Sequence, residues 1–174
     1  MTNDAVPPVL REARPADAAA LAQIGARSFA ETFGHLYDPA DLELFLATHN
    51  PDDWRTALDD RATRVVIAEA DETIAGYARV GPPTLPFEAR GRPVELRQFY
   101  ILSPWQGSGL AQRMMDWVLA AARELGGDAL YLSVFSDNAR ARAFYARWGF
   151  SFVQRYAFMV GNHADEDHIL CRPL

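Results

Sequence analysis

Gln98-Phe99-Tyr100-Ile101-Leu102-Ser103-Pro104-Trp105-Gln106-Gly107-Ser108-Gly109-Leu110-Ala111-Gln112-Arg113-Met114 is the stretch whose reading decides the fold. It reads as a strand, a tight glycine turn and a helix. Leu96 to Leu102 is apolar enough for a strand, and Pro104, which has no N–H for a ladder, ends it. Gly107 and Gly109 permit backbone angles and close approaches that a side chain blocks. From Leu110 the apolar positions recur at Met114, Trp117, Val118, Ala121 and Leu125, a helical stripe that Gly126-Gly127 stops. The result is a helix N-terminus with free N–H groups beside a glycine loop, a site for anions and for phosphates above all.

The loop discriminates among phosphate sites. A Walker loop ends in Gly-Lys-Ser/Thr, and no lysine lies here. The dinucleotide fingerprint needs a third glycine or alanine where this chain has Gln112. What fits is Gln106, Gly109 and Ala111 as Gln-x-x-Gly-x-Ala. This resembles the pyrophosphate-binding signature of the GCN5-related N-acetyltransferases, (Arg/Gln)-x-x-Gly-x-(Gly/Ala). A strand-to-helix turn without a ligand is the alternative at this point.

Bulk properties narrow the class. The 174 residues suit one domain, read as 9–174 after a flexible tail at 1–8 with Pro7-Pro8. A net charge of -6 and a pI near 5.2 argue against a nucleic-acid partner. Cys171 stands alone, which excludes an internal disulfide and a multi-cysteine metal site, and the four histidines have no zinc spacing, so no metal is expected. No signal-peptide pattern and no long apolar run occur, which predicts a cytoplasmic protein with no membrane partner.

Outward from the central stretch, the chain alternates strands and helices. Val9 to Arg14 reads as a strand, and a helix follows from Pro15 to about Phe33. Asp38-Pro39 opens a second helix, and Asn50-Pro51-Asp52-Asp53 is a turn and helix start that leads to a short third helix from Trp54 to Asp60. Arg64 to Glu69 and Thr73 to Val80 form a hairpin, and Gly81 to Pro93 is a loop. After the long strand, glycine turn and helix, Ala129 to Phe135 is a strand parallel to Val94–Leu102. Asp137-Asn138 caps a helix ending at Gly149, and strands at Phe152 to Val160 and His168 to Arg172 close the chain.

The second constellation is Asn138-Ala139-Arg140-Ala141-Arg142-Ala143-Phe144-Tyr145-Ala146-Arg147-Trp148-Gly149-Phe150. Asn138 and Tyr145 are seven apart, so a helix puts them on one face, two turns from each other. Either alone has a structural reading, a capping asparagine or a packed tyrosine. Together, Asn-x-x-Ala-x-x-x-Tyr-x-x-x-Gly-Phe resembles the second acetyl-CoA motif of the same family, at the expected distance after the first. On the two motifs the chain is identified as a member of the GCN5-related N-acetyltransferases (GNAT), a resemblance that runs from Val9 onward. Glu95 to Ile101, Phe29 to Asp41, and the ending Phe158 to Gly161 with Asp165 and Asp167 are similar to the PaiA-type polyamine acetyltransferase branch.

The resemblance implies an α/β fold: a mixed, mostly antiparallel sheet of about seven strands with flanking helices and a parallel, splayed central pair. It implies acetyl-CoA as cosubstrate, with its pyrophosphate on Gln106, Gly107, Ser108, Gly109, Leu110, Ala111 and Gln112. The pantetheine arm would lie along the backbone of Phe99, Tyr100 and Ile101, beside Asn138 and Tyr145. With Gln106-Gly107 where Arg-Gly is common, the phosphates would lean on backbone N–H groups more than on a guanidinium.

The acceptor must attack as a free amine, and at a lysine-like pKa only about one molecule in a thousand is neutral at pH 7. Glu95 is the candidate base; an ion pair with Arg97 two residues on is the structural alternative, and Gln98, Tyr100 or a water chain are alternative bases. By the resemblance, Tyr145 is the acid for the leaving thiolate. Phe29, Phe33 and Tyr37, with Asp38 and Asp41, are candidates for the acceptor site. The expected acceptor is a primary amine of a polyamine-like small molecule or of a peptide. A non-catalytic acyl-CoA-binding or sensing module on the same fold is the competing reading, and the last two strands offer an edge for a homodimer.

Overall fold

The computed structural model describes residues 7–174. The tail expected at 1–8 lies outside them except for Pro7 and Pro8, and the Pro8 carbonyl accepts a hydrogen bond from Arg113 Nη1 at 2.8 Å. The strands are β1 (Val9–Glu12), β2 (Arg64–Ala70), β3 (Thr73–Gly81), β4 (Pro93–Ile101), β5 (Ala129–Phe135), β6 (Ser151–Val160) and β7 (His163–Pro173). The helices are α1 (Ala18–Phe33), α2 (Pro39–Leu46), α3 (Pro51–Asp59), α4 (Leu110–Glu124) and α5 (Ala139–Arg147). The strands form one seven-stranded sheet in the order β1-β2-β3-β4-β5-β7-β6, antiparallel except for β4 and β5. This is the expected mixed sheet.

Capping chemistry sets the helix starts. Asp38 Oδ1 accepts from the Ala40 N–H at 2.9 Å ahead of α2, and Asn50 Oδ1 from Asp53 at 3.0 Å ahead of α3, each with proline at the first helical position. The apolar stripe of α4 carries Leu110, Met114, Met115 and Val118 into a core with Val66, Ala78, Val80 and Leu96. The opposite sheet face buries Val65, Ile67 and Tyr77 against Leu21 and Ala22 of α1 and Trp54 of α3. The central strands are thus covered on both faces.

Two irregularities shape the site. First, β4 and β5 pair only through Pro93↔Ala129, Val94↔Leu130 and Glu95↔Tyr131. Beyond Glu95 they part: β4 continues against β3, and β5 against β7. The splay implied by the resemblance is present, and it leaves one flank of Leu96–Ile101 without a neighbouring strand. Second, the β3–β4 register slips, with Arg79 opposite Gln98 but Val80 opposite Leu96, so Arg97 is the extra residue of a bulge. The bulge breaks the alternation, and Leu96 and Phe99 both pack on the α4 side.

The last strand differs from the expectation: it begins at His163, not His168. The polar run His163-Ala164-Asp165-Glu166-Asp167 reads as a solvated loop, but alternate residues of a strand that lines a polar cavity are polar without being exposed, and Asp167 is buried. The turn into β7 is pinned where the Asn162 N–H donates to Asp41 Oδ1 at 2.8 Å. Gly161 has φ 58° there, and a Cβ would meet Asp41 Cα at 2.6 Å, so the position requires glycine.

Candidate active site

The strand–loop–helix unit around Gly107 builds a cradle of unpartnered amides. Gly107 and Gly109 have φ of 78° and 85°, the left-handed region that glycine enters without penalty. Gly109 is the N-cap of α4 and offers no side-chain acceptor. Among the described residues the amides of Gly107, Gly109, Leu110, Ala111 and Gln112 have no internal acceptor, while the Arg113 amide already turns back to Gly109 O at 3.4 Å. The space beside both glycines is open, so a ligand can reach those amides.

The cradle opens into a cavity of about 690 Å³ that runs along the splayed flank of β4. Of the residues singled out from sequence, Gln106, Gly107, Gly109, Ala111, Gln112 and Asn138 line it. Glu95, Phe99, Tyr100, Ile101 and Tyr145 line it too, as do Phe29, Phe33 and Tyr37. Two others do not reach it with their side chains. Ser108 Oγ donates to Trp105 O at 2.6 Å within the loop, and the Leu110 side chain is buried in the α4 core. Asp38 and Asp41 also stay outside, as a helix cap and as the anchor of Asn162.

Gln106 has both ends of its amide in use. Nε2 donates to Ile101 O at 3.1 Å, and Oε1 accepts from Arg140 Nη1 at 2.6 Å. That clasp ties the loop to α5 and brings a guanidinium to the cavity rim, a role for Arg140 that no short motif signals. Asn138 caps α5 through Oδ1, accepting from the Ala141 N–H at 3.1 Å.

Tyr145 is buried against Phe144 and Phe150, with ring centroids 5.5 and 5.6 Å away. Burial, aided by neighbouring Tyr100, pushes its phenol well above the usual range, so the proton stays on at neutral pH. Tyr100 is pushed up to about 12 by burial and by the negative charge of Asp167.

The carboxylates divide by function. Glu95 is buried, and its carboxylate accepts from the Thr84 N–H, from Thr84 Oγ1 at 3.1 Å and from the Leu85 N–H at 3.3 Å. It makes no ion pair with Arg97, because the bulge offsets the two side chains and the loop after β3 supplies the donors instead. Asp167 is buried at the cavity wall; burial pushes its carboxyl up to about 6, against a hydrogen bond from Ser133 and the proximity of His168, and Asp165 adds to the rise. Asp165 accepts from the Tyr37 hydroxyl and lies 3.1 Å from His163 Nε2. Asp167 as a titrating group was not legible in sequence, since its strand reads as a charged loop.

Comparison with known proteins gives this geometry its context. The profile of the Acetyltransferase (GNAT) family matches residues 23–150, which hold the splayed strands, the glycine cradle, α4 and α5. The chain belongs to the GNAT family. An uncharacterized N-acetyltransferase of Mycobacterium tuberculosis is 31% identical over 159 residues, 91% of this chain and 98% of its own. One of Lactobacillus delbrueckii subsp. lactis is 26% identical over 153 residues, 87% of this chain and 88% of its own. The GNAT architecture recurs in the PaiA N-acetyltransferase of Thermoplasma acidophilum, solved in complex with coenzyme A (TM-score 0.74, 15% identity, 95% of this chain and 98% of that one). It recurs also in yncA of Salmonella typhimurium, solved with acetyl-CoA (TM-score 0.68, 21% identity, 96% and 94%). At these identities the structures speak to the GNAT fold alone. Among the described residues, no helix is long and apolar enough to cross a membrane.

Proposed function

We propose that this GNAT protein transfers the acetyl group of acetyl-CoA to a primary amine of a small molecule or peptide, by direct attack while both substrates are bound. The observation that carries the reading is the row of unpartnered amides at the mouth of α4, opening into the same cavity as the protonated phenol of Tyr145. The cradle fits a pyrophosphate: its N–H groups converge, its glycines leave room, and Arg140 adds a positive charge at the rim. The coenzyme-bound relatives of the same fold support that assignment.

Acetyl-CoA supplies an activated thioester. The unpaired flank of β4 at Phe99–Ile101 offers the amide partners that a pantetheine arm needs in a dry groove. The Asp165 and Asp167 carboxylates draw an ammonium group into the far half of the cavity. Asp167, at about 6, is ionised at pH 7 and accepts the proton the amine must lose, directly or through water. Glu95, the base expected from sequence, holds the Thr84–Leu85 loop with the same carboxylate and is the second candidate. Tyr145 keeps a proton at its hydroxyl for the departing sulfur. Positioning both reactants is worth more, about 7–11 kcal/mol, than either proton transfer at about 10²- to 10⁴-fold.

The test is thiol release from acetyl-CoA over a panel of amines that includes spermidine, amino acids and short peptides. Amine-dependent release, with the acetylated amine found by mass spectrometry, supports the reading. Tight acetyl-CoA binding without release from any amine identifies a non-catalytic acyl-CoA-binding module instead.

A further inference from the structure

We propose that the guanidinium groups of Arg79 and Arg97 form an anion subsite in the acceptor half of the cavity, so that the acceptor is an amine that also carries a carboxylate. This rests on the reading of the cavity as a site of amine acetylation. Both arginines line the cavity, and both also line a second hollow of about 390 Å³ on its far side, so the two charges stand in the wall between. Among the described residues neither makes an ion pair, which is also true of nine other arginines; what sets this pair apart is its place in the cavity wall.

The nearby carboxylates accept other hydrogen bonds and none pairs with either guanidinium, although Asp53 and Asp60 line the second hollow with them and their charges reach Arg79. Glu95 is held by Thr84 and Leu85. Asp53 accepts from Asn50 Nδ2 at 3.0 Å, and Asp60 accepts from Ala62 and Thr63 at 2.9 and 3.1 Å. Arg79 packs its guanidinium carbon 5.4 Å from the centroid of the Trp54 ring, which fixes its plane. Its Nε is fully buried with no acceptor, and its cross-strand partner Gln98 has a buried Oε1 with no donor. A buried N–H without a partner is costly, and the terminal N–H groups of a guanidinium held in a fixed plane suit a carboxylate. Burial and the charge of Arg97 push Arg79 down to about 10, which an incoming anion would reverse.

The cavity is therefore bipolar. Asp165 and Asp167 suit the ammonium group and the arginine pair suits an anion, whereas the remote ammonium groups of a polyamine would meet two guanidiniums. Tyr100, whose phenol feels the charge of Asp167, is three residues from Arg97 along β4, roughly 10 Å at strand rise, the span of a short ligand.

The test separates this subsite from acetyl transfer itself. The protein loaded with coenzyme A is titrated calorimetrically with the N-acetyl derivatives of alanine, phenylalanine and glutamate, each as the free α-carboxylate and as the α-carboxamide, and in parallel thiol release is measured with the parent amino acids, their amides and spermidine. We expect at least one free acid to bind about tenfold or more tighter than its amide, the same preference in kcat/KM, and its loss through KM in Arg97→Gln. Arg97 leaves no buried orphan nitrogen, so that variant keeps the test open if Arg79→Gln does not fold. Equal binding of acid and amide, no binding by any member of the panel, spermidine as the preferred acceptor, or a preference unchanged in Arg97→Gln overturns the proposal. Acid-selective binding without acetyl transfer to any amine sinks the enzymatic reading and leaves the anion subsite standing.

Discussion

Asp167→Asn should make the protein more stable and less active at the same pH. Burial raises this carboxyl to about 6 in the native state, while an aspartate in an unfolded chain titrates near ~3.9. Between those values the native protein holds a proton that the unfolded chain has released. The stability of the neutral form is therefore complete below ~3.9 and is lost as the pH rises through the native value. Two units at about 1.36 kcal/mol each make the loss ~3 kcal/mol above pH 7. Asparagine is neutral at every pH, and its Oδ1 can still accept from the Ser133 hydroxyl. The variant should gain about 2–3 kcal/mol at pH 7.5 and only ~1 kcal/mol at pH 4.5. For a chain of this size, that is a rise in Tm of roughly 4–10 °C at pH 7.5, shrinking to about a third of it at pH 4.5. Thermal unfolding at the two pH values measures it, and kcat/KM on the same samples should fall about 10²- to 10⁴-fold with loss of the acid limb near 6. A Tm that drops at pH 7.5, or a gain equal at both pH values, refutes the burial argument. Undiminished activity with the limb in place removes Asp167 as base and turns attention to Glu95→Gln.

Tyr145→Phe should lower kcat by about 10²-fold or more without abolishing turnover, and leave the acetyl-CoA Kd within about threefold, since the role proposed for the phenol is at the leaving sulfur and not at the phosphates. Full turnover, with chemistry rate-limiting, would falsify that role. Gly109→Ala places a Cβ in open space but at φ 85°, so it should cost about 1–2 kcal/mol of stability from backbone strain alone and weaken acetyl-CoA binding; urea unfolding and calorimetry read the two effects. Arg140→Ala should weaken acetyl-CoA binding and flatten its salt dependence, because it removes the positive charge clasped to Gln106; titration at low and high salt reads both.

Most of the framework was legible because its signals are local. Glycines at 107 and 109, Pro39 and Pro51 at helix starts, and the caps Asp38, Asn50 and Asn138 each state a backbone geometry within a few residues. The parting of β4 and β5 depends on pairings between residues far apart in sequence, so only the family resemblance pointed to it. The bulge at Arg97 turned an apparent Glu95–Arg97 pair into two separate features, because strict alternation is assumed until a partner strand shows the slip. β7 begins five residues before the His168 that the sequence pattern suggests, because charge in a strand reads as solvation unless the cavity it lines is known. Arg79, Arg140 and Asp167 belong to no motif; what marks them is an orphan nitrogen, a clasped amide and a buried carboxyl, and each is a property of packing.

The central claim, that the mouth of α4 seats the pyrophosphate so that the thioester lies beside Tyr145, is tested most directly by a crystal structure with acetyl-CoA. Phosphate oxygens should accept from the amides of the Gly107–Gln112 loop, with the acetyl group in the gap between β4 and β5 within reach of the Tyr145 hydroxyl. Density for the nucleotide anywhere else, or an acetyl group turned away from that phenol, would contradict it.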